Sequence, residues 1–172
     1  KEGKGVVVKA TPELTNLFAN KVVEYEPDKV FILDKPDVSQ DFIDTIKTKT
    51  VWIDHHEPKK RQNVSYFNPR IENDRDNRPT SYWCYQVVKQ DLWIAMVGIV
   101  GDWFLPEFAG EFSEKYPDLL PPEIKRPEEA LYKSELGKLV RIFSFILKGK
   151  TNDAMACIKV LTRITSPYEI LR

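Results

Sequence analysis

The strongest constraint on the fold is a pair of short apolar segments separated by one helix-length stretch. Val30-Phe31-Ile32-Leu33 and Val51-Trp52-Ile53 consist of β-branched, aliphatic and aromatic residues, which favour strands. Between them, Asp37 or Ser39 is placed to cap a helix that runs to about Lys47. A single crossover helix predicts two parallel strands, and strands that are apolar on both faces predict a sheet covered on both sides. The expected fold class is therefore α/β, with a parallel sheet flanked by helices on both faces.

The rest of the chain predicts one domain whose second part is mainly helical. Its 172 residues are enough for a single core. We assign residues 1–103 to the α/β part and residues 104–172 to the helical part. After the short β-branched run at Val6–Val8, a first helix is expected with Thr11 as N-cap and Leu14, Leu17 and Phe18 facing inward. Later helices are predicted over 81–90, 92–103, 128–147 and 152–161, with proline-rich or polar loops over 57–80 and 106–127.

The charge balance excludes a long-range electrostatic attraction to polyanions. Lysine plus arginine number 26 and aspartate plus glutamate number 26, so any contact with nucleic acid has to be made locally. No apolar run is long enough to span a bilayer and no signal peptide is visible, so we expect no membrane partner. Cys84 and Cys157 match no metal or redox spacing, which suits a reduced cytoplasmic protein, and we interpret both as packing residues.

Side chains that could bind a metal ion or take part in catalysis follow three apolar segments. Asp34 ends the first strand, Asp54-His55-His56 ends the second, and Asp102 ends the segment Val97–Gly101. His55 and His56 are the only two histidines of the chain. Ligands collect beyond the carboxyl ends of parallel strands, where these side chains converge. Carboxylates with an imidazole suit Mn²⁺, with Mg²⁺ as the second choice.

Each of these positions also has an ordinary structural explanation. Asp34 and Asp102 would serve equally as turn or cap residues. Thr80 or Ser81 either caps the following helix or, with Arg78, receives a phosphate at the positive helix end. The loop bases Lys59-Lys60-Arg61, with Arg70 and Arg75, are interleaved with acids and resemble a solvated surface, although Tyr66 and Phe67 could stack a base there. Trp103 is the one tryptophan that we place near the site.

The segments "ILD" (32–34), "VWIDHH" (51–56), "RPTS" (78–81) and "VGIVGD" (97–102), in this order, resemble motifs two to four of the DHH phosphoesterase superfamily. "NPR" (68–70) and "FSFILKGKT" (143–151) resemble its archaeal RecJ-like branch. The resemblance implies a DHH domain and an Mn²⁺-dependent phosphoesterase or exonuclease that acts on single-stranded nucleic acid, oligonucleotides or nucleotides. It further implies that Asp34 bridges two metals, that His55 and Asp102 complete one metal shell, and that Asp54 orients the first histidine. His56, with Arg78, Thr80 and Ser81, would contact the substrate phosphate.

Two family features have no counterpart in this sequence. The first motif, an HxDxDG-like stretch that would precede Val6, and the C-terminal substrate-binding domain are both missing. We therefore expect a partial DHH domain, poorly active as these 172 residues alone and active in the full-length protein, since a one-metal half-site loses the activation that two ions share. The alternative hypothesis is an inactive DHH-fold scaffold that binds single strands or replication and repair proteins.

Overall fold

The computed structural model describes residues 3–9 and 11–171. It divides into an α/β unit, residues 10–80, and a helical unit, residues 1–9 with 81–172. The fold is thus mixed α/β, as the sequence predicts. The helical unit begins at Ser81, inside the stretch 1–103 that the sequence assigns to the α/β part.

The α/β unit contains two small parallel sheets and two α-helices among its described residues. Its elements, in chain order, are β1 (Glu13–Leu14), α1 (Ala19–Tyr25), β2 (Val30–Leu33), β3 (Asp37–Val38), α2 (Gln40–Ile46), β4 (Thr50–Ile53) and β5 (Ser65–Phe67). The larger sheet has the order β2-β4-β5 and the smaller one pairs β1 with β3, all in parallel. The predicted unit of strand, helix and parallel strand is confirmed. Because Leu33 pairs with Ile53 and Ile53 with Phe67, the three strands end at the same edge.

The larger sheet buries one face and exposes part of the other. Ile32 and Trp52 are buried, whereas Phe31 and Leu33 are 59% and 48% exposed. Side chains alternate between the two faces of a strand, so Phe31 and Leu33 share the exposed face. The sequence predicts cover on both faces; among residues 3–9 and 11–171, nothing buries these two side chains.

The first helix starts later than the sequence predicts. Thr11 is not an N-cap: its hydroxyl accepts a hydrogen bond from the N–H of Glu13 at 3.2 Å, and Leu14 lies in β1. The chain then forms a 3-10 turn at Asn16–Phe18 before α1 begins. Leu14 is buried as predicted, but Leu17 is 87% exposed. Pairing of β1 with β3 outweighs the local helix signal, because tertiary contacts commonly override propensity. The run Val6–Val8 is in neither strand nor helix.

Ser39 caps α2, one of the two alternatives that the sequence left open. Its Oγ accepts a hydrogen bond from the N–H of Phe42 at 3.2 Å, and the helix buries Phe42, Ile43 and Ile46. The strand β4 then follows after Lys47, which has a left-handed conformation that ends the helix. The cap therefore fixes where the helix of the crossover between β2 and β4 begins.

We expect Ser39→Ala to lower the free energy of unfolding by about 1 kcal/mol, because an orphan N–H at the helix start loses its acceptor. Urea denaturation followed by circular dichroism measures the change. Ser144→Ala, an exposed serine within a later helix, is the control and should change stability by less than about 0.5 kcal/mol. Equal stability of the Ser39 variant and the wild type would contradict this role of the cap.

The helical unit is built from α3 to α9. Their bounds are α3 (Thr80–Val88), α4 (Leu92–Gly101), α5 (Ala109–Lys115), α6 (Pro127–Lys133), α7 (Glu135–Lys148), α8 (Thr151–Leu161) and α9 (Tyr168–Leu171), α3 starting one residue before the unit. The predictions of helices at 81–90, 92–103 and 152–161 are confirmed. The loop predicted over 106–127 contains α5, and the helix predicted over 128–147 is interrupted at Ser134, which caps α7 by accepting from the N–H of Gly137 at 3.3 Å. No helix of the described residues is both long and apolar enough to cross a membrane.

Candidate metal centre

Asp34 and the pair His55-His56 lie at the common edge where β2 and β4 end. The N–H of Asp34 donates to the carbonyl oxygen of Ile53 at 3.0 Å, which continues the pairing one residue beyond β2. Asp34 then has a positive φ of 57°, a conformation that short polar side chains such as aspartate tolerate. The chain therefore turns at Asp34 and leaves its carboxylate beside the residues that follow β4.

The three side chains offer ligand atoms that converge. One carboxylate oxygen of Asp34 and one ring nitrogen from each of His55 and His56 lie within 4.8 Å of one another. His55 Nε2 is 3.4 Å from Asp34 Oδ1, and the two imidazole rings meet edge to face with centroids 4.6 Å apart. An oxygen and two nitrogens in this arrangement could hold one divalent cation.

Asp54 fixes the second histidine of the pair. The carboxylate is fully buried and accepts two hydrogen bonds from His56, from the backbone N–H to Oδ2 at 2.9 Å and from the ring Nδ1 to Oδ1 at 2.8 Å. The tautomer follows from this contact: with the proton on Nδ1, the lone pair of Nε2 remains available. The resemblance implies that Asp54 orients the first histidine, but this carboxylate holds the second.

The charge state of Asp34 suits a metal ligand. Its hydrogen bond with His55 lowers the pKa of the carboxyl group, and partial burial opposes this shift without reversing it. The Thr80 hydroxyl lowers the pKa further, although Thr80 Oγ1 makes no hydrogen bond of regular geometry to any described residue. Asp34 is thus held ionised well below neutral pH, the form in which a carboxylate binds a cation.

Among the predicted phosphate-binding residues, the hydroxyls of Thr80 and Ser81 are buried, whereas the guanidinium of Arg78 is in an ion pair. Thr80 is buried, and both Thr80 Oγ1 and Ser81 Oγ are buried atoms without a hydrogen-bond partner among the described residues. The guanidinium of Arg78 is paired with the carboxylate of Asp76, with Nε 2.9 Å from Oδ1, and this bond lowers the pKa of Asp76. The two hydroxyls therefore have unused hydrogen-bonding capacity, whereas the positive charge of Arg78 is paired with the carboxylate of Asp76.

Asp102 and Trp103 belong to the helical unit. Asp102 follows the last turn of α4, where its backbone N–H bonds to Gly98 O at 3.2 Å, and its side chain is exposed. Trp103 is 54% exposed and packs edge to face on Tyr132 with centroids 5.8 Å apart. The metal and site roles of these two residues stay predictions.

The basic loop after β4 is largely engaged in ion pairs. Arg61 Nη2 lies 2.8 Å from Asp37 Oδ1, and Arg70 Nη2 lies 3.1 Å from Glu57 Oε2. One face of the Tyr66 ring stacks on buried Trp52 with centroids 4.1 Å apart, and base stacking by Tyr66 or Phe67 stays a prediction. Phe67 is 42% exposed.

Sequence reasoning missed Asn68. It follows β5 at the edge where Asp34 and Asp54 follow β2 and β4, it is buried, and its Nδ2 donates to the carbonyl oxygen of His56 at 2.9 Å. The available signal was its place after a third strand, but residues 57–80 were predicted as loop. A polar side chain after each of three paired strands is the pattern that would have identified it.

No family model and no curated protein matches this chain.

Proposed function

We propose that this chain is the catalytic part of a metal-dependent phosphoesterase of the DHH, RecJ-like type. Its substrates would be phosphodiesters of single-stranded nucleic acid, oligonucleotides or nucleotides. The observation that carries the proposal is the convergence of Asp34, His55 and His56 within 4.8 Å at the end of two parallel strands. Ligand sites of parallel sheets occupy this position.

The donor set fits Mn²⁺ better than Mg²⁺. Mg²⁺ keeps oxygen ligands almost exclusively, whereas imidazole nitrogens beside a carboxylate move the preference from Mg²⁺ toward Mn²⁺. Asp34, His55 and His56 would hold the ion through one oxygen and two nitrogens, and Asp102 remains the predicted additional ligand. When bound, the ion would supply positive charge to the phosphoryl oxygens and favour attack by water.

The remaining residues of the site would act on the substrate and on the ligands themselves. Asp54 holds the His56 ring through Nδ1, which leaves the Nε2 lone pair to bind the ion; a contact with the substrate phosphate would require Nε2 to be protonated. Thr80, whose buried hydroxyl interacts with Asp34 but makes no hydrogen bond of regular geometry, would donate a hydrogen bond to a phosphate oxygen, as unsatisfied buried donors are costly. Arg78 and Ser81 are the further phosphate contacts that we propose.

A second candidate function is a DHH-fold scaffold without catalysis, which binds single strands or replication and repair proteins. One observation favours it: both histidines of the chain are already used in a single three-ligand cluster. A second ion would therefore have to be held by carboxylates and other oxygen atoms of the chain. A one-ion site loses the shared activation of water that a two-ion site provides.

Hydrolysis by the full-length gene product separates the two candidates. We expect cleavage of a labelled single-stranded oligonucleotide or of a dinucleotide with Mn²⁺, weaker cleavage with Mg²⁺, and at least about a tenfold loss in Asp102→Ala, because a ligand is removed. Tyr82→Phe, which removes a buried hydroxyl that bonds to Glu107 at 2.7 Å, is the control and keeps full activity. Binding of the oligonucleotide without cleavage by folded, Mn²⁺-supplied wild type would favour the scaffold.

A further inference from the structure

Asn68 connects the end of β5 to the loop that carries the two histidines. It is 3% exposed, and its side-chain amide is fully used. Nδ2 donates to the carbonyl oxygen of His56 and to the hydroxyl oxygen of Tyr66, both at 2.9 Å. Oδ1 accepts from the N–H of Arg70 at 2.9 Å. These contacts give the His56 carbonyl a fixed partner twelve residues away in the sequence.

Tyr66 and Trp52 continue this contact chain to the other ligand-bearing turn. The Tyr66 ring stacks on Trp52 at 4.1 Å with an interplanar angle of 23°. Trp52 is fully buried, and its Nε1 donates to the carbonyl oxygen of Lys35 at 3.0 Å. Lys35 directly follows Asp34 in sequence. The chain of contacts therefore begins at the carbonyl oxygen of His56 and ends at the carbonyl oxygen of Lys35, the residue after Asp34.

We infer that Asn68, Tyr66 and Trp52 are positioning residues that set the separation between Asp34 and the histidines of the metal centre. The inference rests on the proposed function only in naming a metal ion as the ligand that benefits. The three residues touch none of the proposed reacting groups. They act through the backbone of the two turns, each of which they hold by one side-chain hydrogen bond.

The physical reason is that ligand geometry here depends on two separate turns. Asp34 and His56 are not held together by a shared element beyond the strand ends, so small shifts of either turn change the distances between their ligand atoms. A buried hydrogen-bond network with all its members satisfied is rigid, and it loosens when one partner is removed. Metal sites require such support, because ligands must stay close to their binding geometry.

The test compares variants of Asn68 in their affinity for Mn²⁺ alone. Asn68→Asp keeps the shape and the acceptor for Arg70, but loses both donors; Asn68→Ala removes the amide without adding a charge. We expect both to weaken Mn²⁺ binding about tenfold, as supporting contacts of metal ligands typically do. The signal of free Mn²⁺ in electron paramagnetic resonance gives the affinity. Tyr66→Phe, which keeps the ring on Trp52, is the milder second variant and should show a smaller loss in the same direction.

A second readout needs no metal. His55 and His56 are the only imidazoles of the chain, so the four ring nitrogens give just two sets of signals in ¹H–¹⁵N NMR, one for each histidine. In the wild type, His56 should show the tautomer with the proton on Nδ1, which its bond to Asp54 favours. In both Asn68 variants this signal should shift toward that of a free imidazole. The control Tyr82→Phe loses one hydroxyl in the helical unit and should change neither the NMR signal nor the affinity.

Loss of the tautomer signal together with weaker Mn²⁺ binding, in the Asn68 variants and not in the control, supports the inference. Asn68 variants that are less stable but keep the wild-type tautomer and affinity would overturn it and leave the proposed function intact. If the wild type binds no Mn²⁺, the proposed function fails, and the NMR signal alone then decides whether Asn68 positions His56. If the Asn68 variants do not fold, the Mn²⁺ affinity and the His56 NMR signal of Tyr66→Phe decide whether the inference holds.

Discussion

Replacing His55 with alanine is expected to weaken Mn²⁺ binding by about 100-fold or more and to abolish Mn²⁺-dependent hydrolysis. Loss of a residue that only supports a metal ligand already weakens binding by up to about 100-fold, and loss of a ligand itself should cost at least as much. His55 Nε2 lies 3.4 Å from Asp34 Oδ1, and its ring lies against that of His56. The substitution removes one of three ligand atoms and also the group that lowers the pKa of Asp34. Calorimetric titration with Mn²⁺ measures the affinity, and hydrolysis of a single-stranded oligonucleotide by the full-length protein measures activity.

Asp34→Asn extends this prediction, because it keeps the shape of the side chain and removes its negative charge. We expect a loss of affinity similar to that of His55→Ala. Asp44→Asn makes the same exchange at an exposed aspartate in α2, and should bind Mn²⁺ as the wild type does. An Asp34 variant that matches the Asp44 variant in affinity would show that the three side chains do not hold the ion.

Gly137→Ala is expected to lower the free energy of unfolding by about 3 kcal/mol, the upper part of the range for overpacked interiors. A Cβ at this position would lie 1.9 Å from the carbonyl oxygen and 2.5 Å from the carbonyl carbon of Leu131. The same carbonyl oxygen accepts a hydrogen bond from Arg141 Nη1 at 2.8 Å, so its displacement also strains that contact. The close approach of α7 to the end of α6 thus requires a residue without a side chain.

The matched control is Gly110→Ala in α5, where a Cβ would meet nothing within 4 Å. Alanine has the higher helix propensity, so this variant should gain up to about 1 kcal/mol. Urea denaturation, followed by circular dichroism, compares both variants with the wild type. Gly137→Ala with the stability of Gly110→Ala would mean that α6 and α7 do not pack as closely as described.

The strands of the site could be predicted from the sequence because their signals are local. Residues 30–33 and 51–53 are apolar, and the stretch between them carries a cap and one apolar helix face. Parallel pairing then follows from the short crossover, and with it the proximity of Asp34 to His55. The position of the candidate metal centre is therefore a consequence of topology, which the pattern of residues determines.

The support of the site could not be predicted because it depends on contacts between distant residues. Ser65–Phe67 is too short and too polar at its start to be recognised as a strand without its partner β4. Asn68 and Tyr66 acquire their roles only through that pairing. One hydrogen bond of Asp54 is different: an aspartate commonly accepts from the N–H two residues onward, so its bond with the backbone N–H of His56 was predictable in principle.

The limits of local patterns are also visible in the helices. Apolar spacing continues from Leu131 to Leu136 and beyond, which predicts one helix over 128–147. The structure interrupts it at Ser134, whose extended backbone starts α7 anew. Serine favours such cap positions because its hydroxyl can accept from the backbone. Inside a stretch of helical apolar spacing, a serine caps a new helix only where the packing requires a break. Here that packing is the close contact of Gly137 with Leu131, which the sequence pattern does not indicate.

The measurement that tests the metal centre most directly is an anomalous difference map from crystals of the 172-residue chain grown with Mn²⁺. We expect a peak within ligand distance of one oxygen of Asp34 and one ring nitrogen each of His55 and His56, and no peak there in crystals of His55→Ala. A map without density at these three side chains, from protein that is saturated with Mn²⁺ in solution, would contradict the metal centre and the catalytic function that we build on it.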